Sequence, residues 1–300
     1  MKHAWKMYLI LLVALLAGGC QDGRTTYQIV FSESETMPAT SQESKPAPLR
    51  VAISSVLSPT DTTMYYKKIA NYIGEKLDRP AILIQRKSYN EISTLLINGG
   101  ADIALLSTGA YITYKNVQGL EAIAMQQRMG VPYYYGYIVV NRQDKIADLA
   151  DLRGKTVAFS DPASFSGYIF TKDKLEEISE TPEHFFGRYF FTYNHERSLS
   201  AVINRVVDAA AVDSLAFERA KRENPELNKE LKIIANSKPI GTGPVVISSK
   251  LPEDEKKIIE ESFLTMHEQA AMKPALEGLF IDRFVPIEPQ LYEVTYEMDE

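Results

Sequence analysis

The sequence predicts an α/β protein of two lobes. Short β-branched runs alternate with amphipathic stretches from Leu49 onward, the pattern of sheets covered by helices. Two strand-like stretches interrupted by Gly or Pro look like connections, and a self-contained α/β unit lies between them, so the chain leaves its first lobe and later returns. With 300 residues, 45% of them hydrophobic, a sizeable core can be buried and disorder of the whole chain is excluded.

The N-terminus reads as an export signal. Lys2, His3 and Lys6 make a positive start, residues 7–17 are an apolar run, and Ala17-Gly18-Gly19 places small residues before Cys20. The run is too short to cross a bilayer, which takes about 20 residues. A cysteine in this place resembles the bacterial lipobox, where the signal is cut before the cysteine and the thiol carries lipid. The usual leucine three places earlier is displaced here to Leu16, four places before Cys20. The alternative is a plain secretory signal with a stray cysteine. Residues 20–48, rich in Ser, Thr, Glu and Pro, form a flexible tether after residues 1–19 are removed, with a short strand possible at 27–31. A coil of that length spans about 30 Å.

In the body, residues 50–54 read as a first strand. Thr60 or Asp61 caps a helix whose apolar positions Met64, Tyr65, Ile69, Tyr72, Ile73 and Leu77 recur at helical spacing. Residues 81–85 form a second strand. Asn90 caps a helix over 91–98, which Gly99-Gly100 ends. Residues 103–106 are a third strand, and Ser107-Thr108-Gly109-Ala110-Tyr111 opens another helix. Residues 133–140 and 233–246 are the two connections, giving residues 49–137 plus 241–300 as lobe 1 and 138–240 as lobe 2. Inside lobe 2 fall strands at 156–159 and 209–212 and helices after Ser166, over 196–206 and over 214–222. A charged helix at 253–272 follows the return, its apolar face built from Ile258, Ile259, Phe263, Met266 and Ala270.

Composition narrows the function. Thirty-three basic against 39 acidic residues give a net charge of −6, which offers nucleic acid no broad basic surface. Cys20 is the only cysteine, so no internal disulfide forms, and with four scattered histidines no cysteine or histidine zinc cluster is available. No cofactor or metal is expected. Ser166, His195 and Asp213 are the ingredients of a hydrolase triad, but no G-x-S-x-G elbow surrounds either Ser164 or Ser166. The chain is therefore read as a binding protein, with a serine hydrolase as the rival class.

The most informative segment runs from Val157 to Phe170: a strand ends, a hydroxyl-rich turn follows, and a helix begins. Unpartnered backbone N–H groups and the helix dipole suit such a start to an anion, with Ser164 and Ser166 as added donors. A serine at this place is also an ordinary helix cap.

The order of the segments resembles the phosphate/phosphite/phosphonate solute-binding proteins of ABC transporters. The matching pieces are Met64-Tyr65-Tyr66 with Asn71-Tyr72-Ile73, Asn98-Gly99-Gly100-Ala101-Asp102-Ile103-Ala104 leading to Tyr111, Leu149 through Phe159, Asp161 through Tyr168, Asn194-His195-Glu196-Arg197-Ser198, Val202 through Asp213, and Ser237 through Pro244. The resemblance covers the body from Leu49 to about Phe284. It implies a type II periplasmic-binding-protein fold: two lobes, each a mixed sheet flanked by helices, joined by two crossing strands and closing on a small tetrahedral oxyanion.

That family usually carries Ser-Thr-Ser-Gly at the helix start, so Ser164, Ser166 and Gly167 are the implied oxyanion contacts. Phe165 departs from the pattern, either as an aromatic wall suited to an apolar substituent or as a residue packed inward. Tyr111 and either Tyr65 or Tyr66 resemble aromatic contacts from lobe 1, with core packing as the alternative, and Ser107 and Thr108 add hydroxyls. His195 falls in a turn where an imidazole faces the cleft. Asp213 either faces the cleft, accepting a proton from a protonated oxyanion or an ammonium substituent, or caps the next helix. Because screening cuts off long-range charge beyond about 8 Å, the affinity is expected to come from neutral N–H and O–H donors. The resemblance also implies delivery of the ligand to an ABC permease; together with the lipobox-like Cys20, the expectation is a lipid-anchored monomer on the extracytoplasmic face of a bacterial membrane. A sensor of the same fold that signals to a membrane partner is the alternative.

Overall fold

The computed structural model describes residues 46–54, 59–117 and 119–293. The export signal, Cys20, the tether as far as residue 45 and the strand read at 27–31 lie outside the described residues. Among those described, no helix is long and apolar enough to cross a membrane.

The first lobe begins with β1 (Leu49–Ser54), α1 (Pro59–Lys76), β2 (Ala81–Arg86), α2 (Tyr89–Ile97), β3 (Ile103–Leu105), α3 (Thr108–Tyr114) and β4 (Leu120–Gln127). The chain then passes through β5 (Tyr133–Tyr134) into β6 (Gly136–Asn141) and β7 (Thr156–Phe159). A π-helical turn over Phe165–Ile169 continues as α4 (Phe170–Glu176), followed by α5 (Pro182–Phe185) and β8 (Arg188–Phe191). Next come α6 (His195–Ile203), β9 (Ala209–Asp213), α7 (Ser214–Glu223), α8 (Leu227–Glu230) and β10 (Leu231–Asn236). The return runs through β11 (Ile240–Gly241) to β12 (Pro244–Ser248), α9 (Glu253–Thr265), α10 (Lys273–Gly278) and β13 (Arg283–Val285).

The two large sheets share one plan. The first runs β13-β4-β12-β3-β1-β2 and the second β10-β6-β9-β7-β8. From the β2 edge and from the β8 edge alike, three parallel strands are followed by an antiparallel strand that has just crossed between the lobes, β12 in one and β6 in the other. The crossing strands β5 and β11 pair antiparallel as a short ribbon, with Tyr134 opposite Ile240. In α/β sheets of this kind the ligand crevice lies beyond the carboxyl ends of the strands, where strand order reverses. Here those ends belong to β3, β4, β7, β8 and β9.

Local chemistry explains where the elements begin and stop. The cap of α2 is Ser88 and not Asn90: its hydroxyl accepts the Asn90 N–H while Glu91 reaches back to the Ser88 N–H, a reciprocal capping box. Helix α1 starts at Pro59, which puts Thr60 and Asp61 inside its first turn. It ends before Asp78, whose φ of 52° no helix continues. The connection read as one strand over 133–140 is broken at Tyr135 into β5 and β6. In α9 and the turn after it, Ile259, Phe263 and Met266 are fully buried against the first sheet, whereas Ile258 and Ala270 face outward. Each such buried side chain contributes about 1.5–3 kcal/mol.

Candidate functional site

Between the lobes lies a cavity of about 40 Å³, lined by Tyr66, Tyr89, Ser107, Thr108, Gln126, Arg128 and Thr242 from the first lobe and its return, Tyr134 from the crossing ribbon, and Ser164, Ser166, His195 and Asp213 from the second lobe. A single water needs about 10–15 Å³ measured this way, so the space is that of about three waters, the bulk of one small oxyanion.

Each wall follows from the strand that precedes it. Ser107 ends the β3 segment and caps α3, accepting the Ala110 N–H at 3.3 Å. The segment after β7 turns at Asp161, whose carboxylate accepts the N–H of Ala163 at 2.8 Å. Ser164 then caps the π turn, accepting the Gly167 N–H at 3.1 Å. The Gly167 N–H is thereby committed, and Gly167 does not line the cavity. Its lack of a side chain is a packing requirement, since a Cβ there would collide with the Ser160 hydroxyl. The Tyr134 hydroxyl is flanked by those of Thr108 and Ser166; burial and the Asp213 charge push its pKa up.

His195 and Asp213 form one unit. The imidazole Nδ1 accepts the Asp213 backbone N–H at 3.1 Å, which puts the proton on Nε2. Burial lowers the His195 pKa to about 3, so the ring is a neutral donor across the physiological range. Asp213 Oδ1 accepts from the N–H groups of Leu215 at 2.6 Å and Ala216 at 3.3 Å and so caps α7, while the residue also lines the cavity. The residue thus caps the helix and lines the cavity at once. Burial raises its pKa to about 6, against the pull of Arg128. Because the imidazole meets the Asp213 backbone and not its carboxylate, no triad of Ser166, His195 and Asp213 exists.

Besides Gly167, three residues named from the sequence lie elsewhere. Phe165 turns inward among Phe170, Phe159 and their neighbours; the π turn aims the adjacent serines at the cleft and this ring at the core. Tyr111 packs edge-on against Tyr292, with ring centroids 4.9 Å apart. Tyr65 packs on Gly278, where a Cβ would come within 2.3 Å of its ring; its neighbour Tyr66 reaches the cavity.

Gln126 and Arg128 were missed. They sit two residues apart where β4 ends, Arg128 being the first residue beyond it, and each is 7% exposed, so in the extended chain both side chains point to the same side. Gln126 Oε1 accepts from Arg128 Nε at 3.0 Å and Nη2 at 2.5 Å. The expectation of neutral donors alone is corrected: a guanidinium stands in the wall.

The lobes are in contact in this structure. The Tyr89 N–H donates to Asp161 Oδ2 at 3.2 Å, and the Ser107 hydroxyl to the Ala163 carbonyl at 3.3 Å. Gly109 lies where a Cβ would meet the Ala163 oxygen at 2.5 Å. Two cation–π contacts also cross between lobes: Lys87 Nζ lies 4.3 Å from the Tyr193 ring centre, and the Arg219 guanidinium 4.8 Å from that of Phe280.

A family model described as the periplasmic substrate-binding protein of a phosphonate ABC transporter matches residues 51–292. The phosphonates-binding periplasmic protein of Escherichia coli is 32% identical over 162 residues, covering 50% of this chain and 45% of that one. The phosphate-import protein PhnD of Mycolicibacterium smegmatis is 26% identical over 208 residues, 66% of this chain and 61% of that one. The matched part thus spans about half to three fifths of these relatives. Among solved structures, a binding protein component of an ABC phosphonate transporter from Pseudomonas aeruginosa superposes with a TM-score of 0.73 at 23% identity, over 82% of this chain and 83% of that one. PhnD1 from Prochlorococcus marinus in complex with methylphosphonate gives 0.72 at 17% identity, over 82% and 94%. At these identities the superpositions show the fold.

Proposed function

This chain belongs to the family of phosphonate-binding periplasmic substrate-binding proteins of ABC transporters, and from that premise we propose that it captures a small phosphorus oxyanion between its lobes and presents it to a membrane permease. The observation that carries the proposal is the convergence of polar groups from both lobes on one small cavity: the Arg128 guanidinium on one side, Ser164, Ser166 and the Nε2–H of His195 on the other, while the hydroxyls of Ser107 and Thr108, which also line it, spend their protons on the carbonyls of Ala163 and Gly241. The methylphosphonate held by the Prochlorococcus marinus neighbour is of the size this cavity admits.

Capture follows from the two-lobe plan. The residues around the crossing ribbon, near 137 and 241, act as the hinge between lobe 1 (49–137 plus 241–300) and lobe 2 (138–240). An anion bonded to one lobe completes its hydrogen bonds only when the other closes, so binding shifts the population toward the closed form. The closed form is the signal for the permease. A wrong ligand leaves buried donors unpaired, at a cost of about 1–3 kcal/mol for each.

Cys20 is the lipid-attachment residue in this reading, and residues 20–48 hold the body off the membrane as a single-copy unit. Replacing Cys20 by Ala should release the protein from membranes; retention on the membrane would refute lipidation. For the ligand, titration calorimetry on the purified full chain against phosphate, phosphite, methylphosphonate and aminoethylphosphonate should give heat with at least one. Silence with all four would move the site to another solute class.

A further inference from the structure

Two side chains that line the cavity carry ionisable charge beyond the histidine, Arg128 and Asp213, and they differ in what they can still offer a ligand. Asp213 spends Oδ1 on two backbone N–H groups at the start of α7. Arg128 is braced along one edge only, its Nε and Nη2 on the Gln126 oxygen. Gln126 is held in turn, its Nε2 donating to the Gly243 carbonyl at 3.1 Å and its backbone carbonyl accepting from the Thr242 hydroxyl at 2.5 Å. The brace is a neutral amide. A buried guanidinium normally meets a carboxylate, because leaving water uncompensated is costly, and a charge set against an amide keeps its field for whatever enters the cavity.

Resting on the oxyanion reading above, we infer that Arg128 decides which oxyanion the site takes: a compact one such as phosphite, phosphate or methylphosphonate, and not a phosphonate that carries a cationic amino arm.

Size and charge both support this. The arm of an aminoalkylphosphonate adds carbon and nitrogen atoms to the head group that a cavity of about 40 Å³ must accommodate. Its ammonium would have to share that space with the guanidinium. Behind Arg128 the gap between lobes is lined by Arg219 and Arg222 together with Met129, Leu215 and Phe280, so the next charges along that path are also positive. Arg219 is in turn paired with Glu196 at 3.2 Å and Glu223 at 2.9 Å. The acidic groups acting on Arg128 are Asp213 and Asp282, and the latter accepts the Gly130 N–H on the exposed turn beyond β4. Asp213 is the one carboxylate that lines the cavity; with its pKa at about 6 it is mostly ionised at neutral pH, its Oδ1 is held by two N–H groups of α7, and the Arg128 charge acts on it. An ammonium would have to compete with Arg128 and the helix start for this carboxylate, whereas an anion meets a fixed cation in Arg128.

The test is titration calorimetry on the full chain in detergent at neutral pH, with methylphosphonate, phosphite, phosphate and aminoethylphosphonate, for the wild type and for Arg128→Gln and Arg128→Lys. Thermal melts report whether each variant folds. The wild type should bind methylphosphonate or phosphite about 100-fold more tightly than aminoethylphosphonate. Arg128→Gln should lose about 100-fold for the compact anion and bring the ratio below about tenfold, with Arg128→Lys between. Equal binding of methylphosphonate and aminoethylphosphonate by the wild type overturns the inference while leaving the oxyanion reading intact. A folded Arg128→Gln that binds within about threefold of the wild type does the same. Silence with all four ligands overturns both. Should Arg128→Gln fail to fold, the wild-type ratio and Arg128→Lys decide.

Discussion

The Nδ1 of His195 accepts the backbone N–H of Asp213 at 3.1 Å, and this bond fixes the chemistry of the cleft. It joins the start of α6 to the end of β9, settles the imidazole tautomer, and leaves the Asp213 carboxylate to cap α7.

One consequence is a histidine that does not titrate where histidines usually do. With its pKa lowered by burial to about 3 from 6.5, the ring contributes stability that is present above about pH 6.5 and is lost as pH falls toward 3. Asp213 has the opposite sign: raised to about 6 from 3.8, it stabilises the fold below about pH 4, and that contribution is lost as pH rises through 6. Nitrogen-15 NMR of the imidazole should show the Nε2–H tautomer unchanged from neutral pH down to about pH 5. A midpoint near 6.5 for His195 would contradict the assignment.

Replacing Ser166 by Ala should weaken oxyanion binding at least about tenfold, near 1.4 kcal/mol, with little change in melting temperature. Ser164→Ala should cost binding to a similar degree and also about 1 kcal/mol of stability, because its hydroxyl caps the Gly167 N–H. Calorimetry and thermal melts separate the two effects. Wild-type affinity in both variants would remove the serines from the site.

Gly109→Ala should act as a wedge. The added carbon would lie 2.5 Å from the Ala163 oxygen and 2.6 Å from the Phe165 nitrogen, both backbone atoms of the opposite lobe, so relief requires the lobes to part. Small-angle scattering with ligand should show a more open molecule, and affinity should fall about tenfold or more. Full closure at normal affinity would mean that the contact yields locally.

The two cation–π clasps predict a kinetic effect. Tyr193→Ala and Phe280→Ala each remove an interlobe contact worth about 0.5–1 kcal/mol. Each should raise the ligand dissociation rate about two- to fivefold while leaving the donors in place. Stopped-flow release that is unchanged in the double variant would show that the clasps do not hold the closed form.

Much of the architecture was legible because lobes of this kind advertise themselves locally. Strand β7 is Thr156 followed by the apolar run Val157–Phe159, set between Lys155 and Ser160, and its bounds are those read from the sequence. Strands β4, β8 and β13 were passed over: β4 carries Glu121, Gln126 and Gln127 and so lacks a clean alternation. The cleft was harder. Ser164 and Ser166 stood out because hydroxyls before a helix have a local meaning, whereas Gln126-Gln127-Arg128 before Met129-Gly130 reads as the polar end of a strand. Only the sheet order, which sets β4 next to β12, carries that end to the cleft. The buried pair at alternate positions was the available signal. Phe165 could not be placed from sequence, because the inward turn of its ring depends on the π geometry of Phe165–Ile169.

The most direct test of the whole account is a crystal structure of the chain grown with methylphosphonate. The account predicts the phosphorus group enclosed between the lobes, its oxygens within hydrogen-bond distance of the Ser164 and Ser166 hydroxyls, the His195 Nε2 and the Arg128 guanidinium. A ligand bound outside this cavity, or one that touches a single lobe while the other stands apart, would contradict it.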